Sequence, residues 1–529
     1  MPILTLDNVS YTYPGENESA IGGINLEISA GEFVVLCGAA GSGKSTLLMQ
    51  MKPGCVPGGR RGGQVFYDGI PLSELDTVRG VCEIGLLFQD ADSQIVMDSV
   101  WHELAFSLEN IGTPRDEMRR KIAEIASFFG LGALLNRPIS ELSGGQRKQV
   151  CLASILILQP RVLLLDEPVA ALDPIAAKDF LQMLARINKE LGITVIVCEH
   201  CLDDVLALAD RMIVMDGGRI SQNGDVSFVC RSMSDARALP AFMQLFLKYG
   251  DEHALIPRDV RETRTWAHRH TWRVSEPACV DIGAETLSCK HLSFSYDRKL
   301  HPVIDDMTLA ASSSEILALL GGNGAGKTTF LKLMARIYTP NSGSTYLLGR
   351  RYKHYSDSAF YSNVAYLPQN PRLMFQCDTV SDEIARGGVS ADTVASFGLC
   401  GVMHRHPCDL SGGQQQRLAI ALATVNSPKI LLLDEPTRGL DSSAKDELLA
   451  IMRGVQHRGG TVVFSTHDTE FAARSATRCA LLFDGGITAS DETRAFFSGN
   501  YFYTTVIARA LRDCACGAVR AEDVSLCDG

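Results

Sequence analysis

The 529-residue chain contains no run of 18 apolar residues, the length that a transmembrane helix requires. Its first ten residues also lack the basic and apolar regions of a secretory signal, so we expect a cytoplasmic protein. An excess of positive charge is missing too, because 61 acidic residues oppose 50 basic ones and leave a net charge of −11. No general basic field is available for phosphates or an anionic bilayer, and we expect no nucleic acid partner.

What the chain does contain is an ordinary globular composition, with 46% apolar and 21% charged residues and enough length for two or three domains. Its 16 cysteines are scattered without the spacing of a disulfide framework, so we interpret them as reduced thiols. Cys198 and Cys201 form a C-x-x-C pair. Metal or redox chemistry at this pair is the minor alternative.

Two glycine-rich segments match the phosphate-binding pattern G-x-x-x-x-G-K-[ST]. Each follows an apolar run typical of a buried strand and precedes a helical pattern. The glycines allow close backbone approach, the amides at the helix start attract phosphate, and the lysine adds a positive charge. The candidate residues are Gly38, Gly41, Ser42, Gly43, Lys44, Ser45 and Thr46, and in the second segment Gly321, Asn323, Gly324, Ala325, Gly326, Lys327, Thr328 and Thr329.

Further features repeat downstream in the same order. A serine before two glycines and a helical run offers an N-cap and free amides for a phosphate. An apolar strand then ends in two adjacent carboxylates, which suit a magnesium ion and a base that activates water. A histidine ends the next strand. The candidates are Ser143, Gly144, Gly145, Gln146, Asp166, Glu167 and His200, and in the second half Ser411, Gly412, Gly413, Gln414, Asp434, Glu435 and His467.

These segments resemble the nucleotide-binding domains of the ABC ATPase superfamily, with its Walker A, signature, Walker B, D-loop and H-loop segments in family order. The resemblance implies an α/β fold of two tandem P-loop NTPase domains, each with a RecA-like core and a helical signature subdomain. We place the first domain at residues 1–235, an interdomain linker at 236–284, and the second domain with a C-terminal tail at 285–529.

The resemblance also implies an ATPase that uses ATP and Mg²⁺. By it, the Walker A lysines contact the β- and γ-phosphates, the glutamates after the Walker B aspartates act as general bases, and the histidines touch the γ-phosphate. The implied metal-binding residues are Ser45, Gln89, Asp166, Thr328, Gln369 and Asp434, with Gln89 and Gln369 as the Q-loop glutamines. Tyr13 and Tyr296 fit the aromatic residue that stacks on adenine, although aromatics in such strands are more often core.

In this family two domains close head to tail, so each ATP lies between one Walker A loop and the signature of the other half. By that rule Ser143 and Gly145 serve the second-half ATP, and Ser411 and Gly413 the first-half ATP. The fused chain would then pair with itself. Ala40 and Val169 depart from the usual family residues, so we expect two hydrolytic sites whose rates can differ.

One branch of the family is indicated by the segment from Phe88 to Val96 and the glutamate-containing helix after it. This segment resembles ATPases of energy-coupling-factor importers, and residues 496–505 resemble the end of their fused form. The resemblance implies separate partners, namely a transmembrane scaffold and a substrate-binding membrane subunit. It also implies uptake of a vitamin, a precursor or a metal ion, and a peripheral position on the cytoplasmic side of the membrane.

Two other functions remain open from the sequence. A fused sugar-importer ATPase has a similar length, but the two intact signatures and the segment after Gln89 disfavour it. A soluble ABC translation factor would need a long basic arm for ribosomal RNA. The segment between the halves carries arginines and two tryptophans, and we considered RNA binding, a membrane contact and a solvated linker. Its interspersed acids favour the solvated linker.

Overall fold

The structure is a computed structural model and describes residues 2–170, 172–233, 236–276, 281–297 and 301–527. The chain divides into two compact units, Met1–Pro240 and Ala241–Gly529. Most of the segment that the sequence assigns to a linker therefore belongs to the second unit. The domain bounds drawn from the sequence remain predictions.

The first unit alternates strands and helices from its phosphate loop onward, as a parallel α/β core requires. Its strands are β1 (Pro2–Thr12), β2 (Ile21–Ser29), β3 (Phe33–Gly38), β4 (Arg60–Tyr67), β5 (Ile70–Pro71), β6 (Ile84–Leu87), β7 (Val162–Asp166), β8 (Thr194–Cys198), β9 (Arg211–Asp216) and β10 (Arg219–Gly224). Its helices are α1 (Lys44–Gln50), α2 (Thr77–Glu83), α3 (Val100–Asn110), α4 (Arg115–Phe128), α5 (Gly144–Leu156), α6 (Pro174–Leu191) and α7 (Val226–Ser232).

The second unit repeats this order after a short additional segment. That segment forms α8 (Ala241–Tyr249), α9 (Val260–Ala267) and β11 (Trp272–Val274). The strands that follow are β12 (Glu285–Phe294), β13 (Ile304–Ser312), β14 (Ile316–Leu320), β15 (Ser342–Leu347), β16 (Arg350–Arg351), β17 (Val364–Leu367), β18 (Ile430–Asp434), β19 (Thr461–Ser465), β20 (Arg478–Phe483), β21 (Gly486–Glu492) and β22 (Val524–Leu526). The helices are α10 (Lys327–Met334), α11 (Asp357–Tyr361), α12 (Val380–Gly387), α13 (Ala391–Ser396), α14 (Gly412–Thr424), α15 (Ser442–His457), α16 (Thr469–Ser475), α17 (Thr493–Gly499) and α18 (Val506–Leu511).

Each unit contains a six-stranded sheet with the same strand order, β6-β7-β8-β3-β9-β10 in the first and β17-β18-β19-β14-β20-β21 in the second. All pairings are parallel except the last, where β10 and β21 run antiparallel. Both strands that carry the Leu-Leu-Leu-Asp sequence are buried at every position, because helices cover both faces. A separate four-stranded antiparallel sheet accompanies each core. The α/β class with two P-loop cores is confirmed.

The helical segment between the Q-loop glutamine and the signature differs in size between the units. In the first unit α3 and α4 have 11 and 14 residues, whereas α12 and α13 in the second have 8 and 6. The sequence shows the same difference, because this interval is 12 residues shorter in the second half. The two helical surfaces are therefore not equivalent.

The basic and aromatic segment differs from the solvated linker that its charges suggest. Trp266 and Trp272 lie 5.5 Å apart between ring centroids, and Trp266 also contacts Phe246 edge to face at 5.0 Å. Strand β11 pairs with β22 from the C-terminal tail, and Tyr249 donates a hydrogen bond to the Val524 carbonyl at 3.3 Å. The tryptophans supply an apolar core that joins this segment to the tail, which explains why it folds despite its charge.

Within the described residues, no helix is both long enough and apolar enough to cross a membrane.

Candidate functional site

The two phosphate loops have the same backbone shape. Gly43 and Gly326 cap the following helices with φ angles of 96° and 102°. L-residues that carry a side chain rarely adopt such backbone angles. A Cβ on Gly38 would lie 2.2 Å from the Met215 carbonyl, so no larger residue fits there. A Cβ on Gly41 or Gly324 would meet nothing within 4 Å. The loops thus pack tightly against β9 and β20 on one side and keep open space beside Gly41 and Gly324.

The loop lysines fold back onto their own loops. Lys44 Nζ donates to the carbonyls of Gly38 and Ala39, both at 2.8 Å, and burial lowers the Lys44 pKa from its ordinary value. Lys327 Nζ donates to Gly321 and Gly322 at 2.9 and 3.1 Å. Both ammonium groups are held by neutral carbonyls, and Lys327 Nζ also lies 3.9 Å from Glu435 Oε1, so each can turn toward the stronger negative charge of a phosphate.

The carboxylates at the ends of β7 and β18 occupy the carboxyl edge of each sheet, next to the phosphate loops. Glu167 and Glu435 have φ angles of 45° and 49°, in the left-handed region that glutamate rarely adopts. Such backbone strain is common at functional sites. Glu167 accepts hydrogen bonds from Gln89 Nε2 at 2.8 Å and His200 Nε2 at 2.9 Å. The structure therefore brings together three residues that the sequence assigned to catalysis.

The second half repeats this arrangement in part. His467 Nε2 lies 2.9 Å from Glu435 Oε1 and 3.2 Å from Lys327 Nζ. Gln369 follows β17 as Gln89 follows β6, and both residues are exposed. Glu167 has a pKa below its ordinary value: burial would raise it, but the hydrogen bond and charge of His200, the charge of Lys44 and the hydrogen bond from Gln89 together outweigh burial. A carboxylate that stays ionised near neutral pH can accept a proton from water.

The Walker B aspartates contact the hydroxyl that follows the loop lysine. Thr328 Oγ1 donates to Asp434 Oδ1 at 3.0 Å, and burial raises the Asp434 pKa while hydrogen bonds from Ser465 and Thr328 oppose this. Burial likewise raises the pKa of Asp166, against the hydrogen bond from Ser45. Hydroxyl, carboxylate and amide oxygens are the ligands that Mg²⁺ prefers. Asp166 Oδ1 is buried without a hydrogen-bond partner in the described part of the chain, so the residues present fit a cation.

Sequence reasoning did not identify Ser465. Its hydroxyl donates to Asp434 Oδ1 at 2.7 Å and accepts from the Glu435 amide at 2.9 Å. In the first half the corresponding register position opposite Asp166 is Cys198, a weaker donor. This substitution explains the unpartnered oxygen of Asp166. A serine at a strand end carries no spacing signal, and only the sheet register reveals its role.

The tyrosines proposed for adenine lie beside the phosphate-loop helices. Tyr13 and Tyr296 each share a hydrogen bond of 2.9 Å with Thr46 and Thr329. Both rings thus lie next to the helix that begins at each loop lysine. Tyr11, two residues before Tyr13, is fully buried. Adenine stacking by Tyr13 and Tyr296 remains a prediction.

Each signature serine caps its helix through a reciprocal capping box. Ser143 Oγ accepts from the Gln146 amide at 3.2 Å, and Gln146 Oε1 accepts from the Ser143 amide at 2.9 Å. Ser411 and Gln414 form the same pair at 3.4 and 3.0 Å. A Cβ on Gly144 or Gly412 would meet nothing within 4 Å. The helix-start backbone is therefore open to an incoming anion.

Two glutamates after the Q-loops were not assigned a role from sequence. Glu103 is buried and accepts from the amides of Val96 and Met97 at 3.0 and 2.8 Å. Glu383 does the same for Gln376 and for Cys377, the latter at 2.6 Å. Each carboxylate holds the loop that follows a Q-loop glutamine against its helical subdomain. A glutamate in the first turn of the helix after each Q-loop is the sequence feature that could have indicated this role.

The fold and the two sites define a tandem P-loop ATPase. A family model described as ABC transporter matches residues 21–170 and 304–438, more than half of the chain. Another model, described as AAA domain, putative AbiEii toxin, Type IV TA system, matches only residues 408–473. The chain belongs to the ABC transporter ATP-binding proteins. It is an ATP-binding transporter subunit that hydrolyses ATP.

Relatives agree with this family, and a solved structure agrees with the fold. A putative ABC transporter ATP-binding protein of Bacillus thuringiensis subsp. konkukian is 40% identical over 98% of this chain and 97% of its own. The putative HMP/thiamine import ATP-binding protein YkoD of Bacillus subtilis is 30% identical over 94% of this chain and 92% of its own. An archaeal ribosome recycling factor, aABCE1, superposes with a TM-score of 0.61 over 93% of this chain and 91% of its own. At 20% identity, that likeness shows the fold alone.

Proposed function

We propose that this protein is the ATPase of an energy-coupling-factor importer, which powers uptake of a small nutrient through separate membrane subunits. The name of the Bacillus subtilis relative, a putative HMP/thiamine import protein, supports import of a vitamin or precursor. A metal ion is the other substrate class that the sequence resemblance implies. The two halves pair within one chain, and the protein sits on the cytoplasmic face of the membrane.

The chemistry proposed for each half follows from its side chains. Mg²⁺ would be held by the hydroxyls of Ser45 and Thr328 and the carboxylates of Asp166 and Asp434, with the Q-loop glutamines nearby. The ion would neutralise phosphate charge. Glu167, held by two hydrogen bonds, orients an attacking water and takes its proton.

After that proton transfer, charge develops on the γ-phosphate oxygens. In the second half His467 and Lys327 lie within 3.2 Å of one another and beside Glu435, so both can turn to these oxygens. In the first half, His200 and Lys44 would contact the γ-phosphate oxygens. Stabilisation of that charge by fixed cationic and polar groups is the main contribution a protein makes to phosphoryl transfer.

The observation that carries the transport role is an exposed apolar residue just after the first Q-loop. Val96 is 64% exposed and lies seven residues after Gln89. Glu103 fixes the backbone at Val96. An exposed valine on a fixed backbone suits an amphipathic helix from a membrane subunit. ATP-dependent changes at Gln89 would reach that helix directly.

The experiment is capture of the tagged full chain from detergent-solubilised native membranes, followed by mass spectrometry. We expect a small multi-span scaffold and a substrate-binding membrane protein to accompany it. Val96→Asp should abolish their recovery because it places a charge in the apolar contact. Phe228→Asp is the matched control, since Phe228 on α7 is 65% exposed but lies away from the Q-loop in sequence.

The outcomes separate the alternatives. Recovery of ribosomal proteins from the soluble fraction, with no membrane partner, would contradict the importer and favour a translation factor. Recovery of a substrate-binding protein together with two large membrane permeases would favour a sugar importer. Equal loss of partners in both aspartate variants would mean that the contact does not use the surface around Val96.

A further inference from the structure

A segment of the C-terminal tail passes beside the second phosphate loop. The hydroxyl of Tyr503 lies 3.6 Å from the point that a Cβ on Gly322 would occupy, which is van der Waals distance. The carbonyl of the same glycine accepts the hydrogen bond from Lys327 Nζ at 3.1 Å. Gly322 therefore lies between the loop lysine and a tyrosine that is distant in sequence.

The position of Tyr503 is fixed by its neighbours. Thr504 and Thr505, which follow it, are fully buried, and Thr504 donates to the Phe497 carbonyl at the end of α17. Thr505 caps α18 through the Ala508 amide at 3.1 Å. On the other side, Arg512 donates to the Asn500 carbonyl at 2.6 Å. The segment is held at both ends, so the approach to Gly322 is built into the fold.

The same segment also contacts the element that follows the catalytic histidine. Glu470 lies in the first turn of α16, three residues after His467, and its Oε1 accepts from the Val506 amide at 2.7 Å. The tail thus approaches the second phosphate loop at Gly322 and contacts the helix that follows His467. Arg264 on α9 donates to the Arg509 carbonyl at 2.7 Å, which joins the tail to the tryptophan segment.

Tyr503 lies beside Gly322 of the second phosphate loop, so a contact through this residue acts on the second site.

We propose that Tyr503 is a positioning residue of the second ATP site, which braces the loop at Gly322 and makes ATP binding there depend on docking of the C-terminal tail. Because coupling between two sites is reciprocal, ATP in the second site must in turn stabilise the tail. The inference rests on ATP binding by both loops and is independent of the transported substrate.

The test measures MgATP affinity one site at a time by calorimetry of the full chain. Lys44→Ala with Glu435→Gln leaves the second site able to bind without hydrolysis, and Lys327→Ala with Glu167→Gln leaves the first. Tyr503→Phe should weaken binding about three- to tenfold in the first background, as expected for loss of one hydroxyl contact, and should leave the second background unchanged. Unchanged affinity in both backgrounds, or equal loss in both, would overturn the proposal.

Tyr501→Phe is the control, because Tyr501 is 67% exposed and its loss of a hydroxyl should change neither affinity. A second measurement needs no tyrosine variant. In the Lys44→Ala, Glu435→Gln chain, MgATP should slow hydrogen exchange of the amides of residues 503–509, whereas a tail that only packs nearby would exchange at the same rate with and without nucleotide. Absence of protection would refute the coupling even if Tyr503→Phe failed to fold.

Discussion

The buried carboxyl of Glu199 gives a prediction whose size follows from the structure. Glu199 directly follows β8 and precedes His200, is 3% exposed, and accepts a hydrogen bond from the Val169 amide at 3.0 Å. Burial raises its pKa from 4.5 to about 8, and the charge of Glu167 adds to this while Lys148 opposes it. In the second half the position is Thr466, which shares a hydrogen bond with Thr437.

The sign of the pH effect follows from proton uptake. Below pH 4.5 the Glu199 carboxyl is protonated in both the folded and the unfolded chain, so it causes no loss in the free energy of unfolding. Between pH 4.5 and about 8 the unfolded chain loses the proton and the folded chain keeps it, so the free energy of unfolding falls by about 1.4 kcal/mol per pH unit. The total loss is at most about 5 kcal/mol. Glu199→Gln cannot ionise and should lose this dependence.

The assay is urea unfolding from pH 5 to pH 9, monitored by hydrogen exchange mass spectrometry. Peptides from the first unit then report its unfolding transition separately from that of the second unit. Glu199→Gln should become progressively more stable than the unmodified chain as pH rises, with the difference complete above pH 8. Any constant cost of the amide shifts the whole curve and does not alter its slope. Glu109→Gln, at an exposed position, controls for loss of one charge. Parallel curves for Glu199→Gln and the unmodified chain would refute the reasoning.

Three further predictions concern residues placed by the structure. Gln89→Ala should lower kcat of ATP hydrolysis more than Gln369→Ala with little change in KM, because Gln89 donates a hydrogen bond to Glu167 whereas the described residues include no such bond from Gln369 to Glu435; equal effects in steady-state assays would contradict this. Glu103→Ala should cost about 2 kcal/mol of unfolding free energy in urea titrations, since it leaves two backbone amides without their acceptor, and an unchanged midpoint would show that water replaces it. Cys198→Ser should raise the thermal midpoint of the first unit by supplying Asp166 with about 1 kcal/mol of hydrogen bonding, whereas a lower midpoint would mean that the hydroxyl does not reach.

The core of each site could be predicted because its residues follow strand ends at fixed spacing. A phosphate loop needs a strand before it and a helix after it, so Lys44 could be placed from local sequence alone. Glu167 and His200 could be brought together because parallel strands present their carboxyl ends at one edge of the sheet. Their hydrogen bond of 2.9 Å is the consequence of β7 and β8 being neighbours.

Residues that act across the sheet or from the tail could not be predicted in this way. Ser465 contacts Asp434 through strand register, which spacing along the chain does not encode. The tryptophan segment looked solvated because its charge pattern is local, whereas the partner that buries it, β22, lies about 250 residues later in the chain. Tyr503 is 181 residues from Gly322 in sequence, so only the folded second unit brings the two together.

The two ATP sites differ at two successive positions, where β8 ends in the first half and β19 in the second. In the second half Ser465 and Thr466 give the Walker B region two hydroxyls, one on Asp434 and one on Thr437. In the first half the same strand end offers a thiol and a buried carboxyl whose pKa burial raises to about 8. Hydroxyls hold their acceptors more firmly than a thiol does, so Asp434 is held more firmly than Asp166. Because the first site carries the buried carboxyl with the raised pKa, we expect ATP hydrolysis at the first site to respond more strongly to pH than hydrolysis at the second.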